Sequence, residues 1–179
     1  VIFKRKKIES LINRLYDEDK EPSEDYDLWT RLSLFLEIEN VPDIILKYRI
    51  HQNNYSTLHQ EKQFENNLII RKNYFNKYLK MSIKENENIL VNKIIYNKDI
   101  SEKDVYELTV FFNRIKKFSK NHKDFSSINQ TISFYWLKSI INFNSVDFRS
   151  LKLFAKNIDL ISLKILFNPF YIKKIQYRI

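Results

Sequence analysis

Glycine and cysteine are both absent from this 179-residue chain, and Ala155 is its only alanine. Without cysteine the chain can form no disulfide and no thiolate metal site. Without glycine it can form no Gly-rich phosphate loop, which excludes the P-loop and the dinucleotide-binding fingerprint. The missing glycine also means that helix C-termini must use Asn or Asp where Gly is usual. No apolar run approaches the roughly 18 residues that span a bilayer, and we expect a cytoplasmic protein.

Positive charge is concentrated in the second half of the chain. Residues 1–80 contain 14 Lys and Arg against 13 Asp and Glu, whereas residues 81–179 contain 17 against 9. Because the charge changes near residue 80 and the pattern becomes helical throughout, we predict two parts with different roles. The first is a mixed part over 1–80, and the second is a basic α-helical appendage over 81–179.

The pattern of apolar residues predicts a mainly α fold with a short β element. Ser23 is a suitable N-cap for a helix over about 24–36, whose first turn is acidic. Residues 43–51 alternate between apolar and cationic side chains, which predicts a half-buried strand. The spacing is ambiguous over 82–100. Further helices are predicted near 6–14, 58–80, 102–119, 126–143 and 147–157.

Two neighbouring features have the chemistry of sugar transfer. Asp25, beside Glu24 at a helix start, can take a proton from an attacking hydroxyl. Arg49 and His51 lie on the cationic face of the predicted strand and can hold a departing diphosphate. His51 can act there either as a metal ligand or as a donor to phosphate.

These features also resemble a known family in order and spacing. Residues 23–32 read Ser-Glu-Asp-Tyr-Asp-Leu-Trp-Thr-Arg-Leu, and residues 48–56 read Tyr-Arg-Ile-His-Gln-Asn-Asn-Tyr-Ser. Together they resemble the C-terminal part of the catalytic domain of bacterial family 2 inverting glycosyltransferases. The resemblance covers about residues 1–80. It implies an α/β domain of the GT-A fold and a divalent cation, Mn or Mg, as cofactor.

The resemblance also assigns roles to individual residues. Asp25 corresponds to the catalytic base and Glu24 to its partner in the acceptor site. His51 would lie near the metal and the diphosphate, and we group Arg49 and Asp27 with it as substrate-binding residues. The donor-binding half of the family, with its Asp-x-Asp metal motif, is expected upstream of Val1, so we expect the chain alone to be inactive.

We therefore predict part of a glycosyltransferase that transfers sugar from a nucleotide-sugar donor to a glycan or lipid-linked acceptor, in surface polysaccharide synthesis. The alternative is a non-catalytic basic helical module that binds an anionic membrane surface or nucleic acid. For residues 81–179 a solvated helical bundle and a peripheral contact with lipid at the inner face of the membrane are both open interpretations. No nucleic-acid recognition motif is present, and we expect no nucleic-acid partner.

Overall fold

The computed structural model describes residues 5–38 and 54–141, and this part of the chain is mainly helical with no strand. The chain divides into two compact units, Val1–Ile83 and Lys84–Ile179. The strand predicted over 43–51 and the helix predicted over 147–157 lie outside the described residues. The helices are α1 (Arg5–Glu9), α2 (Glu24–Leu32), α3 (Tyr55–Leu58), α4 (Gln60–Asn73), α5 (Glu85–Ile95), α6 (Glu102–Ser119) and α7 (Phe125–Ile141).

Helix α2 packs on α1 through a small apolar core in the first unit. Leu28 and Leu32 are one helical turn apart on α2 and are fully buried with Ile8 of α1. Trp29 and Leu36 are partly buried against the same core. The apolar spacing predicts a face of Leu28, Leu32, Phe35 and Leu36. Leu28, Leu32 and Leu36 contribute to this core, whereas Phe35 is 58% exposed.

Both helices end earlier than the sequence predicts. Helix α1 stops at Glu9 and α2 stops at Leu32, whereas the spacing predicts helix to about 14 and 36. In each case a serine follows, and its hydroxyl donates to the carbonyl three residues back: Ser10 to Lys7 at 2.7 Å and Ser33 to Thr30 at 2.8 Å. Serine hydroxyls compete with the helical ladder for carbonyl oxygens, which favours an early end.

The helix predicted over 58–80 is confirmed over 60–78, where α4 continues into a π-helical turn, and the separate short helix α3 precedes it. Helix α3 ends at Leu58, α4 runs from Gln60 to Asn73, and a π-helical turn covers Tyr74–Tyr78. Lys80 then adopts φ 53°, in the left-handed region that Gly usually occupies after a helix. Helix α4 contacts α2, and three of its buried residues are Asn66, Ile70 and Arg71.

The second unit is built from α5, α6 and α7 over the residues that the structure describes. Helix α6 matches the predicted range of 102–119, and α7 begins one residue before its predicted start at 126. Ser101 and Asp104 form a reciprocal capping box at the start of α6. The apolar positions Leu108, Phe111 and Leu137 are almost fully buried between the helices. No helix in the described ranges is both long and apolar enough to cross a membrane.

Candidate active site at the start of helix α2

Helix α2 begins with three of the predicted site residues in its first turn. The Asp25 carboxylate is exposed, and its Oδ1 accepts the main-chain N–H of Tyr26 at 2.6 Å. Glu24 is half-buried, and within the described residues its buried Oε2 has no hydrogen-bond partner. The two other predicted site residues, Arg49 and His51, lie outside the described residues. The structure therefore brings Glu24, Asp25 and Asp27 together and gives no position for the cations.

Asp27 has a structural contact on the side of α2 that faces residues 14 and 15. Its Oδ2 accepts from Arg31 Nε at 2.8 Å, one turn further along the helix. The same guanidinium donates to the main-chain oxygens of Arg14 and Leu15, both at 2.8 Å. Asp27 thus orients an arginine that ties α2 to the segment after α1. A substrate-binding role for Asp27 stays a prediction, and a substrate cation or hydroxyl would have to compete with Arg31.

Helix α4 holds the segment that leads into α2. The Asn66 amide nitrogen donates to the main-chain oxygens of Lys20 at 2.9 Å and Glu21 at 3.0 Å. The Gln63 amide donates to the oxygen of Pro22 at 3.4 Å, and the Glu21–Pro22 peptide bond is cis. Side-chain amides from one face of α4 therefore bind three consecutive carbonyl groups just before the acidic helix start.

Ser23 lies at the N-cap position of α2, but its side chain does not cap the helix. Its hydroxyl donates to the main-chain oxygen of Gln63 at 3.3 Å, and the residue is 1% exposed. Ser23 therefore lies at the N-cap position that the sequence predicts, but its side chain does not form the capping hydrogen bond. Because the Ser23 hydroxyl is hydrogen-bonded to Gln63 of α4, it does not satisfy the first N–H groups of α2.

Tyr55 extends the candidate site from helix α3. Its hydroxyl donates to Glu21 Oε1 at 2.6 Å, and its ring lies 4.3 Å from that of His59. The hydrogen bond to Glu21 raises the pKa of Tyr55, and burial and the negative charges of Glu21 and Glu24 act in the same direction. Glu21, Glu24 and Tyr55 are thus electrostatically coupled around the start of α2.

Sequence reasoning overlooked Tyr55 and Asn66. Tyr55 falls inside the second motif, between Asn54 and Ser56, at a position that the resemblance leaves unspecified. Asn66 lies in a polar stretch of α4 and carries no distinctive spacing. Only its contacts with residues more than 40 positions earlier identify it as part of the support for the site.

The described acidic residues do not by themselves make a site for the divalent cation that the resemblance implies. Among residues 5–38 and 54–141 there is no group of three or more Asp, Glu or His side chains that could hold a metal ion. His51, the predicted ligand, lies outside these ranges. The exposed carboxylate of Asp25 can accept a proton without a metal as its neighbour.

Comparisons with protein-family models, with curated proteins and with solved structures found no match. The residues around the start of α2 therefore provide the grounds for assigning a function. They combine one exposed carboxylate, one carboxylate oxygen that is buried without a described partner, and a segment fixed by side-chain amides.

Proposed function

We propose that this chain is part of an inverting glycosyltransferase that transfers sugar from a nucleotide-sugar donor to a glycan or lipid-linked acceptor. In this proposal residues 1–80 supply the acceptor side of a GT-A domain, and residues 81–179 form a basic helical appendage. The process it serves would be the synthesis of surface polysaccharide at the cytoplasmic side of the membrane. The proposal rests on the paired motifs and on the arrangement of carboxylates at the start of α2.

The proposed chemistry needs one base at the acceptor. The acceptor hydroxyl gives its proton to the Asp25 carboxylate while its oxygen bonds to the anomeric carbon of the donor. The bond from that carbon to the diphosphate breaks on the opposite face, so that the configuration inverts and the diphosphate leaves with the electron pair. A positioned general base of this kind contributes a factor of about 10²–10⁴ in rate.

Glu24 would bind the acceptor rather than take its proton. A sugar presents several hydroxyl donors, and the buried Oε2 of Glu24 has no hydrogen-bond partner within the described residues. Because this oxygen has almost no surface open to solvent, a sugar hydroxyl would reach it only after the Glu24 side chain turns outward, and the new hydrogen bond would satisfy an acceptor whose burial without a partner costs about 1–3 kcal/mol. This second carboxylate gives the acceptor an orientation relative to Asp25.

Arg49 and His51 complete the proposal on the donor side. Both would neutralise the charge that develops on the leaving diphosphate, and His51 is the predicted ligand of a divalent cation. The cation supplies Lewis-acid stabilisation of the diphosphate when it is bound. The motif that carries these two residues follows α2 by about twenty positions.

The observation that carries the proposal is the exposed Asp25 carboxylate in the first turn of a helix whose entry is fixed. Asn66 and Gln63 bind the carbonyl groups of residues 20–22, and Arg31 ties α2 to residues 14 and 15. A catalytic base must be held within a fraction of an ångström of its working position, which requires such a second layer of contacts. Within the described residues the Asp25 carboxylate accepts one hydrogen bond, from the adjacent N–H of Tyr26, and the residue is exposed.

The test is made on the full-length gene product, because the resemblance implies a donor-binding half in addition to residues 1–80. A panel of nucleoside diphosphate sugars is offered with candidate acceptors, and release of nucleoside diphosphate is measured. We expect Asp25→Asn to lower kcat by about 10²–10⁴. The asparagine keeps the size of the side chain and can still accept the N–H of Tyr26.

Asp19→Asn is the matched control, because Asp19 is an exposed aspartate in the 3₁₀ turn (Glu18–Lys20) that precedes α2. It should retain full turnover. Full turnover by Asp25→Asn would contradict the assignment of the base. A wild-type product that releases no nucleoside diphosphate from any donor in the panel would contradict the transferase itself.

A further inference from the structure

Tyr55 presents a large aromatic side chain to solvent beside the carboxylates at the start of α2. The residue is 52% exposed, although its hydroxyl donates to Glu21 Oε1 at 2.6 Å. His59, one helical turn later, lies against it with 4.3 Å between the two ring centroids. Tyr55 is thus held both at its hydroxyl and at its ring. A side chain that is already held in place loses little conformational entropy when a ligand binds to it.

The phenol lies close to the proposed acceptor site. Glu21, its hydrogen-bond partner, precedes Asp25 by four positions, which is at most about 14 Å of extended chain. The hydrogen bond to Glu21 is the largest cause of the raised pKa of Tyr55, and the negative charge of Glu24 contributes to it. Glu24 therefore lies near enough to act on the phenol. A chain of a few sugar units is long enough to contact both Asp25 and Tyr55.

The chemistry of these groups favours a ligand that has both hydroxyl donors and C–H faces. Ionised carboxylates only accept hydrogen bonds, and among the described residues the exposed Glu21 carboxylate accepts only the one from Tyr55. The face of an aromatic ring is electron-rich and attracts polarised C–H groups. Sugars provide both kinds of group, because hydroxyls surround a ring whose faces carry C–H bonds. Tyr55, Glu21 and Glu24 therefore have the composition of a glycan-binding surface.

A cationic peptide is the competing ligand, since ammonium and guanidinium groups bind both carboxylates and aromatic rings. The charge of the chain disfavours such a ligand. Residues 1–80 carry 14 Lys and Arg against 13 Asp and Glu, and the whole chain has a net charge of +9, so that a polycation is not attracted at long range. The local carboxylates in turn repel anionic ligands. A neutral glycan is subject to neither repulsion.

We propose that Tyr55 and Glu21 form an acceptor subsite, which binds a sugar unit beyond the one that reacts at Asp25. This sugar unit would lie against the exposed part of the Tyr55 ring and donate a hydroxyl hydrogen to the Glu21 carboxylate. The acceptor is then an extended glycan chain, whose reacting end is positioned in part by contacts further along the chain. This inference rests on the proposed transferase function and names the class of its acceptor.

Binding is tested first on the full chain, without any donor. Saturation-transfer difference NMR is recorded with maltotetraose, cellotetraose and chitotetraose as separate probes, each over a range of concentrations. We expect at least one tetrasaccharide to bind, and Tyr55→Leu to weaken its binding about two- to tenfold, which is the contribution of one aromatic contact. Tyr55→Phe keeps the ring and loses the hydrogen bond to Glu21, so that it should weaken binding less.

Tyr106→Leu is the matched control, because Tyr106 is also an exposed helical tyrosine but belongs to the second unit. It should bind the tetrasaccharide as the wild type does. A second measurement uses the full-length gene product. There Tyr55→Leu should raise the KM for the tetrasaccharide acceptor by a similar factor, with kcat and the KM for the nucleotide-sugar unchanged.

The outcomes distinguish the acceptor subsite from the transferase. Tetrasaccharide binding that Tyr55→Leu weakens, in a gene product that releases no nucleoside diphosphate from any donor, would support glycan binding at Tyr55 and contradict the transferase alone. Turnover with an unchanged acceptor KM in Tyr55→Leu would overturn the subsite alone. Absence of binding to every probe, equal weakening by Tyr55→Leu and Tyr106→Leu, or tighter binding of a tetralysine peptide would also overturn the subsite.

Discussion

The side-chain amide of Asn66 donates to the main-chain oxygen of Glu21 at 3.0 Å, across 45 positions of the chain. The same nitrogen donates to the oxygen of Lys20 at 2.9 Å, so that both N–H groups of the amide are used on consecutive carbonyls. Asn66 is 7% exposed and lies in the middle of α4. The entry into the acidic helix start thus depends on one buried amide from a distant helix.

We expect Asn66→Asp to destabilise the first unit by about 1–3 kcal/mol, because the carboxylate cannot donate and would face two carbonyl oxygens. The measurement is urea unfolding followed by far-UV circular dichroism. Asn13→Asp introduces the same charge at an exposed asparagine of the same unit and should change the midpoint little. Equal midpoints for the two variants would show that the Asn66 contacts do not hold the segment.

The sequence predicts the elements of this molecule better than their ends. Helix α6 is amphipathic over 18 residues and begins with a capping box, so that both its pattern and its start are local signals. The end of α2 depends on the hydrogen bond from the Ser33 hydroxyl to the Thr30 carbonyl. The hydroxyl could equally bind water, and the apolar periodicity does not predict which partner it has. Boundaries of this kind are decided by single hydrogen bonds.

The two residues with left-handed backbone conformation, Lys80 and Asn97, also show that the sequence predicts helix ends only in part. Absence of glycine predicts Asn or Asp at such positions, and Asn97 fulfils this after α5 with φ 52°. There Lys98 N–H donates to Lys93 at 2.8 Å, which closes the helix end. Lys80 occupies the other left-handed position without any intrinsic preference for it. Its conformation follows from the bond of Met81 N–H to Phe75 at 3.0 Å, which no composition predicts.

Some residues of the candidate site can be predicted from the sequence, and others cannot. Glu24 and Asp25 are identified by a motif, whereas Asn66 and Tyr55 are identified only by contacts with Glu21. Residues that support a site from a distant helix leave no local pattern in one sequence. Their side chains are ordinary for their own helices, and only the tertiary structure pairs them with the loop.

Glu87 and Arg114 form an ion pair between α5 and α6 that offers a second stability test. Glu87 Oε2 lies 2.6 Å from Arg114 Nη2 and also accepts the N–H of Lys84 at 2.8 Å, with the Glu87 side chain 8% exposed. Arg114→Gln leaves this buried carboxylate without its cation, and we expect a loss of about 1–3 kcal/mol in the free energy of unfolding. Thermal unfolding of the full chain measures it.

Glu87→Gln in the Arg114→Gln background provides the control for that prediction. Removing the buried charge should restore part of the lost stability, because two neutral amides are cheaper to bury than one unpaired carboxylate. A double variant less stable than Arg114→Gln alone would mean that the charge of Glu87 is not the source of the loss.

The lowered pKa of Asp104 predicts how the stability of the second unit depends on pH. Burial alone would raise the pKa of Asp104, but hydrogen bonds from the Ser101 main chain and hydroxyl, together with Lys93, outweigh it and lower the pKa below 3.8. A carboxyl whose pKa is lowered on folding stabilises the folded state above its unfolded pKa, and the contribution is lost as pH falls through the folded value. We therefore expect the Tm of the wild type to be higher than that of Asp104→Asn at neutral pH. This difference in Tm should become smaller below pH 3.8.

Glu85→Gln is the matched control, because Glu85 is an exposed acid in the first turn of α5. Its Tm difference from wild type at neutral pH should be small. A gap for Asp104→Asn that stays constant from pH 7 to pH 2 would contradict the lowered pKa.

The raised pKa of Tyr55 can be measured, and its value reports the electrostatics of the candidate site. The hydrogen bond to Glu21 is the largest cause of its raised pKa, ahead of burial and the charges of Glu21 and Glu24. We expect the ¹³Cζ signal of Tyr55 to titrate above pH 10.0 in the wild type and closer to that value in Glu21→Gln. Glu18→Gln removes an exposed charge from the same loop and should leave the titration of Tyr55 unchanged. Titration of Tyr55 at the same pH in wild type and Glu21→Gln would mean that the 2.6 Å contact does not persist in solution.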